Sequence, residues 1–472
     1  MTETRTIRVE ALTRVEGEGG LVVRLNGRCV EDVQLSIYEP PRFFEGFLRG
    51  RPIEEVPDIT ARICGICPVA YQMTAVHALE KPLGVTVTPE IRELRRLLYC
   101  GEWIESHGLH MHLLQAPDFF GVASGIELAG RFPTEVTRGL TLKKHGNTLL
   151  EILGGRAIHP VNVAIGGFYR SPSKDALQRL IPSFEWGLAA AVEATRWVAG
   201  FDFPEFSAER ELVALQHPDE YPMNEGDVVS SRGLHIPVDQ FKETFHEHHV
   251  AHSTALHALR SADQGSYQVG PLARVSLNRD RLSESARRVA DEIGFETPCY
   301  NPFMAIIARG LELIHAFEEG LQILRRYQPL KLSRMSYRHQ PGSGCAATEA
   351  PRGLIFHRYE MNEAGQVLTA EIIPPTSQNQ RQIELDLMRW IPSILVDDEQ
   401  KVADDCERLI RSYDPCISCS THFLRLQMVR SPAKEAAIRI PDPTSVTPAV
   451  FPNVGEPSSS ERITTSIQRS DG

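Results

Sequence analysis

The sequence lacks several features that mark common classes of protein. It contains no run of about 18 or more apolar residues, so no membrane-spanning helix is expected. It has no basic tract, and a formal charge of −11 disfavours a surface for nucleic acid or anionic lipid. The first residues, Met1 to Arg5, lack the apolar core of a signal peptide. We therefore expect a cytoplasmic protein with no direct membrane insertion and no nucleic-acid partner.

Three cofactor motifs are also missing. No glycine-rich dinucleotide fingerprint is evident, and the cysteines outside two short pairs do not have iron–sulfur spacing. Two histidine-rich stretches, 107–112 and 246–252, lie on predicted helices, and neither contains His-Glu-x-x-His. We assign no metal to either stretch. Nicotinamide or iron–sulfur chemistry would have to belong to partner proteins.

The composition is that of a globular protein, with 42% hydrophobic and 24% charged residues. Alternating apolar residues predict strands over 5–38, and a richer content of glycine and proline predicts strands and loops over 328–378. Apolar periodicity predicts helices over 89–114, 174–200, 239–260, 281–293, 301–327, 380–390 and 398–412. The proline- and serine-rich stretch 431–472 predicts a disordered tail. The expected organisation is a domain over 1–430, β-rich in about its first 50 residues, followed by that tail.

The chain contains two Cys-x-x-Cys pairs, Cys64 with Cys67 and Cys416 with Cys419. Their first members are 352 positions apart, whereas a zinc ribbon keeps its pairs within about 15–20 residues. Two such pairs can form a complete tetrathiolate shell, and here it would assemble only after most of the chain has folded. From the cysteines alone, a four-cysteine zinc site is the commoner interpretation. The remaining cysteines are expected to be buried reduced thiols: Cys29, Cys100, Cys299, Cys345 and Cys406.

The sequence around both pairs resembles the signature motifs of nickel–iron hydrogenase large subunits. Five segments carry the resemblance, in the order found in that family: Arg14–Gly17, Arg62–Cys67, Gly155–Pro160 with Gly166-Gly167, Glu349–Gly353 and Asp414–His422. The resemblance implies an α+β, mainly α, fold with a central long-helix bundle and small peripheral β-sheets. It also implies the catalytic subunit for the reversible splitting of H₂ into protons and electrons.

The resemblance assigns a role to each cysteine. Cys64 and Cys416 would be terminal nickel ligands, and Cys67 and Cys419 would bridge nickel to an iron that carries two cyanides and one carbon monoxide. Soft thiolates suit such redox-active metals.

Five further residues match positions around that Ni-Fe(CN)₂(CO) centre. Glu16 corresponds to the proton-relay carboxylate beside Cys416. Arg352 corresponds to the arginine above the cluster, and Asp414 would bind and tune it. Pro351 and Thr376 are expected to contact the cofactor, Thr376 through a hydroxyl that bonds cyanide. Without the resemblance, Glu16 would be an ordinary turn carboxylate, and Arg352 would be equally well explained as a structural arginine.

A Mg²⁺ site is implied as well. Glu45 and His422 match its ligands, with a backbone carbonyl near Ile372 as the third. Such an ion would pin the C-terminus of the folded body to its N-terminal part.

Three positions depart from many relatives: Tyr71 replaces a histidine, Glu18 replaces another, and Ser106 stands where some membrane-bound relatives have aspartate. These changes resemble the soluble, bidirectional, NAD(P)-linked branch. The implied partners are an iron–sulfur small subunit, a flavin module that reduces NAD(P), nickel-insertion proteins and a maturation endopeptidase. The endopeptidase would cut after His422 and remove Phe423 to Gly472.

Two other functions remain as alternatives. The chain could be a non-catalytic homologue of the quinone-site subunit of respiratory NADH dehydrogenase, although that lineage lost the cysteine pairs. It could also be a zinc-stabilised scaffold protein, which metal analysis would distinguish.

Overall fold

The structure, a computed structural model, describes residues 4–396 and 398–421. His422, the expected cleavage site and the predicted tail 431–472 lie outside the described residues. Within them, long helices occupy the centre and small sheets lie around it. This arrangement confirms the prediction of a mainly helical α+β fold.

The strands form two- to four-stranded sheets, ordered β1-β2-β3, β4-β5, β11-β6-β7-β8, β10-β9 and β12-β13-β14. All pairs are antiparallel except β11 with β6. The strands are β1 Thr4–Val9, β2 Gly19–Asn26, β3 Cys29–Ile37, β4 Val163–Ala164, β5 Gly167–Phe168, β6 Glu211–Gln216, β7 Asp227–Ser230, β8 His235–Ile236, β9 Phe245–His248, β10 His257–Arg260, β11 Tyr267–Gln268, β12 Gly342–Ala350, β13 Gly353–Met361 and β14 Val367–Ile373.

The helices include four of about 20 residues that form the centre of the molecule. A π-helical segment, His110–Gln115, continues the helix that ends at Leu109. The helices are α1 Phe44–Leu48, α2 Val56–Thr60, α3 Pro68–Leu83, α4 Pro89–Leu109, α5 Ala116–Phe119, α6 Gly125–Arg131, α7 Pro133–Gly154, α8 Lys174–Gln178, α9 Ile181–Ala199, α10 Phe241–Thr244, α11 Pro271–Asn278, α12 Glu284–Glu292, α13 Ala305–Arg326, α14 Pro375–Ile394 and α15 Glu399–Ser412.

The central bundle consists of α4, α7, α9 and α13, which pack against one another along their lengths. Close packing of α4 on α7 depends on Gly146, where an added Cβ would lie 2.6 Å from the carbonyl oxygen of Gly101. Helix α3 lies between α4 and the β12–β14 sheet. Within the described ranges, no helix combines the length and apolar character needed to cross a membrane.

The N-terminal sheet shows why the alternating pattern predicted it correctly. Ile7, Val23 and Leu35 point to one face and are almost fully buried, while intervening residues remain more exposed. That face packs on α14 and α15. The sheet therefore joins the start of the chain to the helices that lead into the second cysteine pair.

The helix predicted over 239–260 is wrong. Only Phe241–Thr244 is α-helical, after a 3₁₀ turn at Val238–Gln240, and residues 245–260 form the antiparallel hairpin β9–β10, with His257 opposite His248. Phe241 and Phe245 have helical spacing, but both are buried against the β12–β14 sheet. Packing on a sheet outweighed local helical periodicity.

The lone cysteines follow the prediction only in part. Cys100, Cys299 and Cys406 are buried, and Cys345 is half-buried, but Cys29 is exposed. Cys29 opens β3 directly after the turn at Gly27, where its side chain points to solvent. The prediction of a buried thiol is therefore wrong at Cys29.

Candidate metal centre

Two short segments bring the four paired cysteines together. Cys64 follows a 3₁₀ turn and Cys67 directly precedes α3, whereas Cys416 and Cys419 lie just beyond α15. All four are buried, and their sulfur atoms lie within 4.8 Å of one another. The Sγ of Cys416 is 3.5 Å from that of Cys64 and 2.8 Å from that of Cys419. The segments 64–67 and 416–419, which are far apart in the sequence, thus meet in one four-sulfur cluster.

The electrostatics of this cluster fit a bound cation. Hydrogen bonds from Cys416, Cys419 and Cys67 lower the pKa of the Cys64 thiol well below its usual value. Burial raises the pKa of Cys416 well above its usual value. Four adjacent buried thiolates would repel one another strongly, so full ionisation requires a positive centre between them. Four sulfur donors suit nickel, iron or zinc.

Glu16 lies directly beside the cluster. Its Oε2 is 3.1 Å from the Sγ of Cys416 and accepts a hydrogen bond of 3.1 Å from the backbone N–H of Ser418. The Ile417 N–H donates to the Glu16 carbonyl, which forms an isolated bridge between the two segments. Gly17 permits this approach: its φ is +89°, and an added Cβ would lie 2.7 Å from the Cβ of Ile417. Glu16 is therefore placed to exchange a proton with Cys416.

Arg352 and Asp414 form a buried ion pair next to the thiols. The Arg352 Nη2 lies 3.0 Å from Oδ1 of Asp414, and its Nε donates to the Asp414 carbonyl at 2.9 Å. Burial alone would raise the pKa of Asp414, but Arg352, His110 and Arg309 lower it to about 2. Asp414 is thus ionised and holds the guanidinium in place.

The remaining nitrogen of that guanidinium is unusual. Within the described part of the chain, the Nη1 of Arg352 is buried without a hydrogen-bond partner. A buried unpaired donor costs free energy, so its presence fits a ligand that accepts a hydrogen bond. Cyanide on a metal is such an acceptor.

Of the two residues predicted to contact the cofactor, Thr376 contacts the second cysteine segment and Pro351 directly precedes Arg352. Thr376, in the first turn of α14, accepts a hydrogen bond of 2.9 Å from the Cys416 N–H, which leaves its hydroxyl hydrogen to donate elsewhere. The Pro351 carbonyl accepts from the buried Arg274 at 2.9 Å, which fixes the backbone just before Arg352.

Glu45 lies away from the sulfur cluster, on α1. Its Oε1 accepts a hydrogen bond of 2.8 Å from the N–H of Ile372 in β14. The contact seen at Ile372 therefore involves its N–H, whereas the sequence prediction used a carbonyl in that region. Burial raises the pKa of Glu45 to about 8, and a cation bound at this carboxylate would favour its ionised form.

Two positioning residues were not found from the sequence. Arg42 donates to the carbonyl of Ile63 at 2.8 Å and also to that of Ser418, so it links the residues just before Cys64 and Cys419. The second is Glu102, on α4. Arg42 carries no motif by itself, and only its closeness to Phe43–Gly46 could have drawn attention to it.

Glu102 is fully buried and accepts hydrogen bonds from the N–H groups of Val69 at 2.6 Å and Ala70 at 3.1 Å. These are free donors in the first turn of α3, immediately after Cys67. Glu102 thus caps the helix that positions the first pair. Glu102 is one of several charged residues on α4, so the sequence gives no signal that distinguishes it for this role.

Tyr71, one of the departures noted in the sequence, lies fully buried on α3, one turn after Cys67. Its hydroxyl is buried without a hydrogen-bond partner among the described residues. Burial raises its pKa well above the usual value, and the neighbouring thiols of Cys419 and Cys67 add to the shift. The hydroxyl therefore lies near the sulfurs as a neutral donor.

Comparison with known proteins points to one family. The model of the nickel-dependent hydrogenase family matches residues 42–141. Sulfhydrogenase 1 subunit alpha of Pyrococcus furiosus is 32% identical over 425 residues, which cover 89% of this chain and 98% of that protein. NAD-reducing hydrogenase HoxS subunit beta of Cupriavidus necator is 27% identical over 470 residues, which cover 89% and 95%.

Solved structures show the same fold. An NAD⁺-reducing NiFe hydrogenase in its H₂-reduced state has a TM-score of 0.78 at 24% identity, covering 89% of this chain and 100% of that chain. A reduced Ni-Fe-Se hydrogenase of Desulfovibrio vulgaris Hildenborough has a TM-score of 0.72 at 22% identity, with the same coverage. The resemblance carried by the five motifs is thereby confirmed. Since the identity to the Pyrococcus protein extends over nearly all of both sequences, this chain belongs to the nickel-dependent hydrogenase family, as a hydrogenase oxidoreductase subunit with a four-cysteine centre.

Proposed function

We propose that this chain is the catalytic subunit of a nickel–iron hydrogenase and holds a Ni-Fe(CN)₂(CO) centre on Cys64, Cys67, Cys416 and Cys419. The observation that carries the proposal is the buried four-sulfur cluster with Glu16 at 3.1 Å from one thiol. Cys64 and Cys416 would be terminal ligands, and Cys67 and Cys419 would bridge to iron. When bound, this centre supplies the redox chemistry that splits H₂ heterolytically and takes up its electrons.

The protein residues around the centre would transfer the proton and donate hydrogen bonds to the ligands of the metals. Glu16 takes up a proton at Oε2 from the Cys416 sulfur and returns it in the reverse direction. Arg352 offers its unpaired Nη1 to a cyanide, and Asp414 keeps the guanidinium oriented. Thr376 offers its hydroxyl hydrogen to a second acceptor. Arg352, Asp414 and Thr376 are buried, which excludes water from them and strengthens their interactions, whereas Glu16 is half-buried.

The partners proposed for electron transfer are an iron–sulfur small subunit and a flavin module that reduces NAD(P). In support, the Pyrococcus relative is named as a subunit alpha and the Cupriavidus relative as part of an NAD-reducing enzyme.

Three apolar residues are exposed on one side of the protein: Ile158, Val161 and Tyr169. They lie beside α3, since Gln72 of that helix donates to the Pro160 carbonyl at 2.6 Å. We propose that the small subunit binds to this face, because α3 begins directly after Cys67 of the first cysteine pair.

A Mg²⁺ ion at Glu45, with a backbone group near Ile372 and with His422, is proposed as a second metal site. A largely buried carboxylate offers the oxygen donors that Mg²⁺ prefers, and burial raises its pKa to about 8, an effect that a bound cation would oppose.

We also propose that nickel-insertion proteins load the centre and that an endopeptidase then cuts after His422. The cut would remove Phe423 to Gly472, which includes the tail 431–472. The intact mass of the active chain tests the cleavage: a chain that still ends at Gly472 contradicts it.

We propose a cytoplasmic location, which is consistent with nine cysteines that form no disulfide.

Metal analysis combined with infrared spectroscopy tests the central proposal. The purified complex should contain about one nickel for each catalytic chain, with iron in excess because the small subunit adds iron–sulfur clusters. It should also show absorption bands of metal-bound CO and cyanide, together with H₂-dependent dye reduction. Zinc in the four-cysteine site, without nickel and iron, would show a scaffold protein instead. The matched variant Cys416→Ser should lose nickel and both sets of bands.

A further inference from the structure

A second cluster of metal-binding side chains lies on the hairpin β9–β10 and the neighbouring helix α14. His252 is in the hairpin loop, His257 opens β10, and Glu384 is on α14. One ligand atom from each lies within 4.8 Å of the others. Glu384 follows Thr376 by eight residues on the same helix, about 12 Å along its axis, so this cluster is separate from the four-cysteine centre.

His257 presents a ligand atom that is unused. The residue is 1% exposed, and its Nε2 is buried without a hydrogen-bond partner in the part of the chain that the structure describes. A buried imidazole nitrogen is normally satisfied by a donor, an acceptor or a metal. This nitrogen is therefore available to a further ligand, and His257 differs from other buried histidines in lying beside a second histidine and a carboxylate.

Glu384 supplies the negative charge. Its Oε1 accepts from the Leu35 N–H at 3.1 Å and from His252 Nε2 at 2.7 Å, and its Oε2 accepts from Arg381 at 3.0 Å. The Arg381 side chain is 41% exposed, so it can move with little cost. A metal at Oε1 would replace the proton that His252 now shares with Glu384, as metal binding to histidine releases protons.

We propose that His252, His257 and Glu384 bind a divalent transition metal of the zinc type. Two neutral imidazoles and one carboxylate are a common zinc ligand set, with water as the fourth ligand. His252 is 19% exposed, which gives the ion and its water access from solvent. No sequence motif marks this site, because Glu384 is 127 positions from His257.

The position of the cluster gives the metal a structural role. The hairpin loop is tied to β3 by Thr254, whose N–H donates to the Ile37 carbonyl at 2.7 Å. Glu384 accepts from Leu35 of the same strand. A metal on His252, His257 and Glu384 would join the hairpin, β3 and α14 at one point and fasten the outer hairpin to the elements that reach the second cysteine pair.

Metal content of the purified complex tests this site. We expect about one zinc-type ion per chain in addition to nickel and iron, and loss of that ion alone in His257→Ala and in His252→Ala. The control is His246→Ala on the same hairpin, because His246 contacts Ser261 and Gln264 and is outside the cluster. The control should keep the ion. His252→Ala, being at a partly exposed position, serves if His257→Ala does not fold.

Cobalt distinguishes this site from the four-cysteine centre. Co²⁺ added to chelator-treated enzyme should give visible absorption without thiolate charge-transfer bands, and the signal should be absent in His252→Ala but present in Cys416→Ser. The thermal midpoint of the unmodified enzyme should fall after chelation and recover with Zn²⁺, whereas that of His252→Ala should not respond. No zinc-type ion in the purified complex, together with no saturable uptake of Zn²⁺ or Co²⁺, would overturn the proposal, whatever the nickel, iron and magnesium contents show.

Discussion

Glu16 shows how much of the proposed chemistry depends on the placement of single atoms. Its Oε2 contacts both the Cys416 sulfur and the Ser418 N–H, so the carboxylate is fixed on the side of one thiol. Arg352 is fixed in the same way by Asp414, with one nitrogen left unpaired. The sequence could predict both roles because the family motifs include these residues. It could not give their distances, which depend on contacts between the two ends of the described chain.

Replacing Glu16 by Gln should remove the proton relay and keep the centre. The amide preserves the shape but cannot exchange a proton, so H₂ oxidation should fall roughly 10²–10⁴-fold. Nickel and iron contents and the infrared bands should be unchanged. Glu18→Gln, at an exposed neighbouring position, is the control and should keep full activity. Unchanged activity in Glu16→Gln would show that the proton leaves by another group.

Replacing Tyr71 by Phe should change the stability of the metal-free protein and the infrared spectrum of the protein that contains its metal centre. Without metal, removing a buried hydroxyl with no partner should raise the free energy of unfolding by about 1 kcal/mol. With the centre present, the hydroxyl is expected to donate to a thiolate, so its loss should shift the infrared CO band. Denaturant unfolding and infrared spectra measure the two effects. An unaltered CO band would mean that Tyr71 only fills space.

At the scale of elements, the cluster depends on how short segments approach each other. Helix α3 starts immediately after Cys67 and is capped from α4 by Glu102, while Arg42 bridges the two cysteine segments. The sequence predicted most long helices well but gave a helix over 239–260 where a hairpin forms. Local periodicity is a short-range property, whereas the hairpin is stabilised by burial of Phe241 and Phe245 against a distant sheet.

Gly17→Ala should separate the segment that carries Glu16 from the second cysteine pair. Its positive φ costs an alanine about 1 kcal/mol, and the new Cβ would also meet Ile417 and Ser418. Gly50→Ala is the control, since Gly50 has φ +78° but no atom within 4 Å of the added Cβ. We expect Gly17→Ala to lose activity and stability beyond the loss in Gly50→Ala. Similar losses in both would show that backbone strain, not close approach, determines the effect.

At the scale of the whole molecule, a buried charge network joins the central helices to the site. Arg274 on α11 donates to both oxygens of Glu312 on α13 at 2.7 Å and to Glu349 on β12 at 3.0 Å. It also donates to the carbonyl of Pro351. Burial alone would raise the pKa of Glu312, but Arg274 lowers it to about 2, whereas burial raises the pKa of Glu349 to about 7. One arginine does not fully compensate two buried carboxylates.

The network predicts how stability depends on pH. Because folding raises the pKa of Glu349 from 4.5 to about 7, the folded protein should lose stability as the pH rises through that window, on the order of 3 kcal/mol. Glu349→Gln should flatten the loss. Glu312→Gln should instead lower stability above pH 4.5, because folding lowers the pKa of Glu312 and its charge is stabilising there. Thermal midpoints between pH 4.5 and 8 measure both, and a parallel pH profile in Glu349→Gln would contradict the assignment.

The sequence by itself determined which four cysteines are paired, the order of the family motifs and the position of most long helices. These features depend on residue type and on spacing over a few helical turns, and both can be read from short stretches of the sequence. Only the tertiary structure decided that Arg42 and Glu102 support the cysteine segments, that 245–260 is a hairpin, and that Glu384 meets His252 and His257. Each of those contacts joins residues far apart in the chain, and burial of distant elements against one another, rather than any local pattern, brings them together.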